Sequence, residues 1–95
     1  MKVELSRRAQ RQIDGAEVWW QTHRDKAPDA FDADLRSAFD LLIKTPSAGR
    51  PVRTRSGPAR RLTLGRIRYY LYYRVVGDRI RILSLWHTSR RPPRL

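Results

Sequence analysis

The chain is 95 residues long, 40% hydrophobic and 32% charged, without cysteine, which suits one small domain burying roughly 60–70% of its extended surface and excludes a disulfide or thiolate-metal framework. Its 21 Lys and Arg against 9 Asp and Glu give +12, and the imbalance is local: residues 1–49 hold eight of each sign, residues 50–95 thirteen arginines against Asp78 alone. That exceeds the roughly 2–8 charges solubility asks for and points to a polyanionic or acidic partner.

The first residues, MKVELSRRAQRQ, lack an apolar signal core, and no run approaches the roughly 20 apolar residues of a membrane helix. The expected compartment is the reducing cytoplasm, with no membrane partner. Residues 2–6 alternate Val3 and Leu5 inward and predict a short strand, after which Ser6 can cap a helix. Ala9, Ile13, Ala16 and Trp20 recur at helical spacing over 7–23. Gly15 inside that helix costs about 1 kcal/mol relative to alanine and allows a close helix contact. Trp19 is expected at the flank of the stripe, and His23 as a surface residue without chemistry.

Residues 24–27 form a polar break, and Pro28 fits the first turn of a second helix. Asp29, Asp32 and Asp34 complement its dipole, Phe31, Leu35, Ala38 and Leu42 supply its stripe, and Thr45-Pro46 ends it. At this length both stripes are needed for the core. The segment PSAGRPVRTRSGPA, 46–59, is expected to be an irregular exposed connection. Three strand-like runs follow at 60–64, 67–76 and 79–87, separated by Gly65-Arg66 and Gly77-Asp78, each expected as a two-residue hairpin turn. The expected fold is therefore α+β: a short N-terminal strand, an antiparallel two-helix hairpin and a three-stranded antiparallel sheet. It forms a single domain over 1–95, with 89–95 a basic extended tail.

Those turns assign faces. Val75 pairs with Ile80, Tyr73 with Ile82, Leu71 with Ser84 and Tyr69 with Trp86, and this face, with Leu62 and Leu64, is the core. The other face carries Arg61, Thr63, Arg68, Tyr70, Tyr72, Arg74, Arg81, Leu83, Leu85 and His87, with Arg68 opposite His87 and Arg74 opposite Arg81. Arginines paired across a ladder repel, and two tyrosines beside two leucines would leave an apolar patch in water. The tail, a second copy or an acidic partner should cover it; interleaved Arg and Tyr also suit single-stranded RNA.

Gly49-Arg50-Pro51, Arg60-Arg61-Leu62, Tyr72-Tyr73-Arg74-Val75 and Trp86-His87-Thr88-Ser89-Arg90 stand in an order and spacing that resembles the RelE/ParE superfamily of toxins over nearly the whole chain. The resemblance implies the toxin of a bacterial type II toxin–antitoxin pair, neutralised by a small, acidic antitoxin and needing no cofactor. RelE-like members cut mRNA on the ribosome; ParE-like members poison DNA gyrase without being nucleases. The nuclease pattern is matched at Arg68, which would steady phosphate, and at His87. It is departed from at Val52, where a glutamate base would stand, and at Thr88, where a tyrosine would. Without that carboxylate, proton abstraction would fall to His87. The expectation is thus ParE-like gyrase inhibition without enzymatic activity, with ribosome-dependent mRNA cleavage or simple nucleic-acid binding as the alternatives. Arg61, Arg68, Tyr70, Tyr72, Arg74, Arg81, Leu83, Leu85, Arg90 and Arg91 are the candidate contacts for antitoxin or target.

Overall fold

The computed structural model describes residues 1–23 and 29–95; the polar break at 24–27 and the role of Pro28 lie outside the described residues. The described residues form β1 (Lys2–Leu5), α1 (Arg7–His23), α2 (Ala30–Lys44), β2 (Arg50–Thr54), β3 (Gly57–Leu64), β4 (Tyr69–Val76) and β5 (Arg79–His87). The strands make one five-stranded sheet in the order β1-β5-β4-β3-β2. It is mixed: β1 runs parallel to β5, and every other pairing is antiparallel. The α+β class is as expected, but the three-stranded antiparallel sheet is not, because two strands add to its edges.

β1 joins the sheet by pairing Val3 with Ile80 and Leu5 with Ile82, which aligns its two apolar residues with the core of β5. β2 and the start of β3 lie inside the stretch expected to be irregular. Its turn-forming residues make a hairpin instead, with Thr54 opposite Gly57. Pro51 is tolerated because β2 is an edge strand, where a missing N–H need not interrupt a central ladder.

Ser6 caps α1, its hydroxyl accepting from the Ala9 N–H at 3.0 Å. Ala9, Ile13 and Trp20 are buried on α1, and Phe31, Leu35, Ala38 and Leu42 on α2. They form one core with Leu64, Ile67, Tyr69, Leu71, Tyr73, Ile80, Ile82 and Leu85, against which Ala16 also packs. Both helices therefore lie on the same side of the sheet. Burying each large apolar side chain there contributes about 1.5–3 kcal/mol. Trp19 sits at the flank as expected, stacked on His23 with centroids 4.7 Å apart. Gly15 does not mediate a close helix contact: a Cβ built on it would meet nothing within 4 Å.

Two departures in the central hairpins decide what each face carries. Gly65-Arg66 is not a two-residue turn; Leu64 pairs with Tyr69, and the Arg68 N–H donates to the Leu64 carbonyl at 2.8 Å across a loop at 65–68. Two extra loop residues preserve the side-chain alternation, so Leu62 and Leu64 stay on the core side while Ile67 and Arg68 leave the strand. Gly77-Asp78 is the expected two-residue turn, with Gly77 at φ +60, a backbone region glycine enters without strain. From Val76 opposite Arg79 to Tyr73 opposite Ile82 the pairing is as expected, Arg74 facing Arg81 included. Beyond that point β5 carries one extra residue, Leu83, so Tyr72 faces Ser84, Leu71 faces Leu85, Tyr70 faces Trp86 and Tyr69 faces His87.

That bulge inverts the end of β5. Leu85 and His87, expected on the open face, turn to the helix side, where Leu85 is 3% exposed; Trp86, expected in the core, turns to the open face. A bulge frees backbone groups from the ladder, and α1 satisfies them. The Leu85 N–H donates to Gln12 Oε1 at 3.0 Å, as does the Ser84 hydroxyl at 3.0 Å. The Ser6 hydroxyl donates to the Leu83 carbonyl at 3.3 Å.

Candidate functional site

The face of the sheet away from the helices is the candidate interaction surface. Strands β2 to β5 contain no acidic residue, and rows of like or aromatic side chains run across them: Arg50 opposite Arg61, Arg61 opposite Tyr72, and Thr63–Tyr70–Trp86. The Arg61 guanidinium lies 4.2 Å from the Tyr70 ring centroid, and the Tyr70 and Tyr72 rings meet edge to face at 6.3 Å. Arg61 Nε is buried without a hydrogen-bond partner, an uncommon cost.

Arg74 is not free to repel Arg81. The β2–β3 turn holds it: Nε donates to the Pro58 carbonyl at 2.9 Å, and Nη2 to Ser56 Oγ at 2.9 Å and Thr54 Oγ1 at 3.1 Å. Arg81 remains exposed opposite it. Two residues earlier on β5, Arg79 pairs with Glu4 at 3.0 Å.

The tail, expected as an extended basic end, folds back across this face. The Arg90 guanidinium sits 3.9 Å above the Trp86 ring centroid, and Trp86 Nε1 donates to the Arg91 carbonyl at 2.6 Å. Farther on, Arg8 Nη1 donates to the Arg94 carbonyl at 3.3 Å, and the Arg55 N–H to the Leu95 carbonyl at 3.0 Å. These contacts tie the tail to the end of β5, to the first turn of α1 and to the β2–β3 turn. Of the open-face aromatics, Trp86 is the one the tail contacts through Arg90 and Arg91. Trp86, Arg8 and Arg55, its anchors, were missed from the sequence because the bulge that turns Trp86 outward has no local signature.

Of the nuclease candidates, Arg68 lies in the β3–β4 loop at φ +63 rather than on a strand face. Its carbonyl accepts from the Thr88 N–H at 3.0 Å, bringing the two segments together, but no hydrogen bond joins the Arg68 and His87 side chains. His87 is on the helix side, edge to face with Tyr69 at 5.2 Å, and its Nδ1 accepts from the Ser89 N–H at 3.1 Å. Burial raises the Tyr69 phenol above its ordinary pKa, so that ring stays neutral. Leu83 is half-buried at the bulge, and Leu85 is core rather than contact surface. Val52 stands on β2 opposite Ala59, and Thr88 in the turn after β5. Among the described residues, no group of three or more His, Cys, Asp or Glu could hold a metal ion.

The motif around Gly49 is structural. The Gly49 N–H donates to the Tyr73 hydroxyl at 2.8 Å, that hydroxyl donates to the Pro46 carbonyl at 2.6 Å, and Arg60 Nη1 donates to the Gly49 carbonyl at 2.8 Å. A Cβ at Gly49 would stand 2.6 Å from the Tyr73 ring, so only glycine fits.

The family model of the ParE toxin of type II toxin–antitoxin systems, parDE, matches residues 3–92. The chain belongs to the ParE toxin family. A solved structure described as the chromosomal ParDE TA system from P. aeruginosa matches with a TM-score of 0.74 and 26% identity, over 94% of this chain and 97% of that one. No curated protein matches. A ParE-family toxin of a ParDE-type pair has an antitoxin as its partner.

Proposed function

We propose that this ParE-family chain arrests growth by inhibiting DNA gyrase and that its antitoxin is acidic where it crosses the open sheet face. The observation that carries the antitoxin reading is the run of four strands without a carboxylate, which raises the association rate of an acidic partner. Support for gyrase over mRNA cleavage comes from the two residues a nuclease would need: Arg68 and His87 share no hydrogen bond, and His87 has turned from the open face with Nδ1 occupied by Ser89. Proton transfer requires a group within hydrogen-bond reach of the ribose hydroxyl, and the residue at the position of the glutamate is Val52.

The test is production of the chain alone and with the antitoxin encoded beside it, followed by assays of purified toxin on gyrase supercoiling and on ribosome-bound mRNA. Growth arrest relieved by the antitoxin, gyrase inhibition and a mild effect of His87→Ala are expected. Efficient mRNA cleavage without any effect on gyrase would overturn the gyrase reading, and harmless overproduction of folded protein would overturn the toxin reading.

A further inference from the structure

Arg61, half-buried on β3, has a donor that the fold leaves unpaired. Its Nε is the one buried side-chain nitrogen or oxygen among the described residues without a hydrogen-bond partner. Such groups are rare, because an unmade hydrogen bond leaves the desolvation of the donor uncompensated. Neighbouring arginines show the contrast. Arg60 donates to the Gly49 and Ser47 carbonyls, and Arg74 to Pro58, Ser56 and Thr54. Arg61 instead rests on the Tyr70 ring, with its guanidinium carbon 4.2 Å from the centroid. A ring face stabilises the charge through its quadrupole, but it gives Nε no lone pair.

The strand register adds a second unfavourable feature. Arg50 stands directly opposite on β2, exposed, and like charges paired across a ladder repel. On its other side Arg61 faces Tyr72, and strands β2 to β5 offer neither guanidinium a carboxylate. Residues opposite in register share a face, so two donor forks meet on the open side of the sheet beside the Tyr70 and Tyr72 rings. For folding alone, an apolar side chain at position 61 would avoid both the unpaired donor and the repulsion. Two guanidinium forks side by side suit a carboxylate, whose two oxygens accept in parallel.

From this we infer that Arg61, with Arg50 beside it, anchors one Asp or Glu side chain of the antitoxin. On binding, Arg61 turns its fork to that carboxylate, and Nε gains the acceptor it lacks in the free toxin. The inference rests on the antitoxin reading of the open face and names the contact that fixes it.

The test measures two properties of the full 95-residue chain: its melting temperature alone, and its association and dissociation rates with the antitoxin encoded beside it. Arg61→Met preserves an apolar contact for the Tyr70 ring. The free chain should melt at or above the unsubstituted temperature, while affinity falls about tenfold to a hundredfold, chiefly through faster dissociation. Arg61→Lys keeps the charge but not the planar fork, so association should hold while dissociation still quickens. Arg36→Met removes a charge from α2, on the helix side, and should leave dissociation unchanged. When each acid of the antitoxin is replaced in turn by its amide, one replacement should add no further loss to that of Arg61→Met. The inference is overturned if Arg61→Met leaves affinity unchanged, or if it lowers the melting temperature while Arg61→Lys binds like the unsubstituted chain. It is equally overturned if Arg36→Met weakens binding as much as Arg61→Met, or if every acid adds its full loss. Association that ignores salt would instead remove the acidic-antitoxin reading, so the two failures are told apart.

Discussion

The Tyr73 hydroxyl ties two otherwise separate segments: it accepts from the Gly49 N–H at 2.8 Å and donates to the Pro46 carbonyl at 2.6 Å, from a ring with no exposure. The turn that ends α2 and leads into β2 is held to the middle of the sheet by that one oxygen and by Arg60. Tyr73→Phe keeps the ring volume but leaves a buried N–H without an acceptor. It should cost about 1–3 kcal/mol, read as a lower urea midpoint with an unchanged slope. A loss within a few tenths of a kcal/mol would mean that water replaces the hydroxyl.

β5 shows how one added residue changes an element's meaning. With Leu83 accommodated as a bulge, Leu85 faces the core and Leu83 is half-buried. Leu85→Ala should therefore cost about 2–5 kcal/mol, with Leu83→Ala costing clearly less; equal costs would contradict the bulged register. The tail is the second element with a measurable contribution. Beyond the Arg90 guanidinium stacked on Trp86, its contacts to Trp86, Arg8 and Arg55 are hydrogen bonds to backbone carbonyls, which most residues could supply. Deleting residues 91–95 should uncover Trp86, shift tryptophan emission to longer wavelength and lower stability by about 1–3 kcal/mol. An unchanged emission maximum would show that the tail does not cover the face in solution.

At the scale of the whole molecule, charge is segregated. The arginines of residues 50–95 sit on the sheet, its connecting loops and the tail, while the acids sit mainly on the helices, where Asp34 accepts from Arg66 Nε at 3.0 Å. Such an asymmetric field steers an acidic partner over a distance that salt shortens, the Debye length falling from about 10 Å at 0.1 M to about 3 Å at 1 M. The association rate with the antitoxin should fall steeply with ionic strength while dissociation changes little. Stopped-flow mixing at low and high salt measures this, and a salt-independent association rate would remove the electrostatic argument.

Local chemistry made much of this molecule legible in the sequence: the Ser6 cap, the helical stripes from Ala9 to Trp20 and from Phe31 to Leu42, the Gly77-Asp78 turn, and the pairing from Val76 to Tyr73. Each depends on neighbours within a few positions, where periodicity and turn chemistry act. The charge excess of residues 50–95 was equally visible, since it is a count. Tertiary structure decided the rest. Residues 50–54 became a strand only because β3 offered a ladder to pair with, and β1 joined the sheet through the distant β5. Which face receives Leu85, Trp86 and His87 depended on a bulge whose freed N–H and carbonyl are satisfied by Gln12 and Ser6, more than seventy positions away in the chain. Strand alternation transmits a one-residue offset to every later side chain, so a long-range hydrogen bond that no local pattern encodes set the composition of both sheet faces.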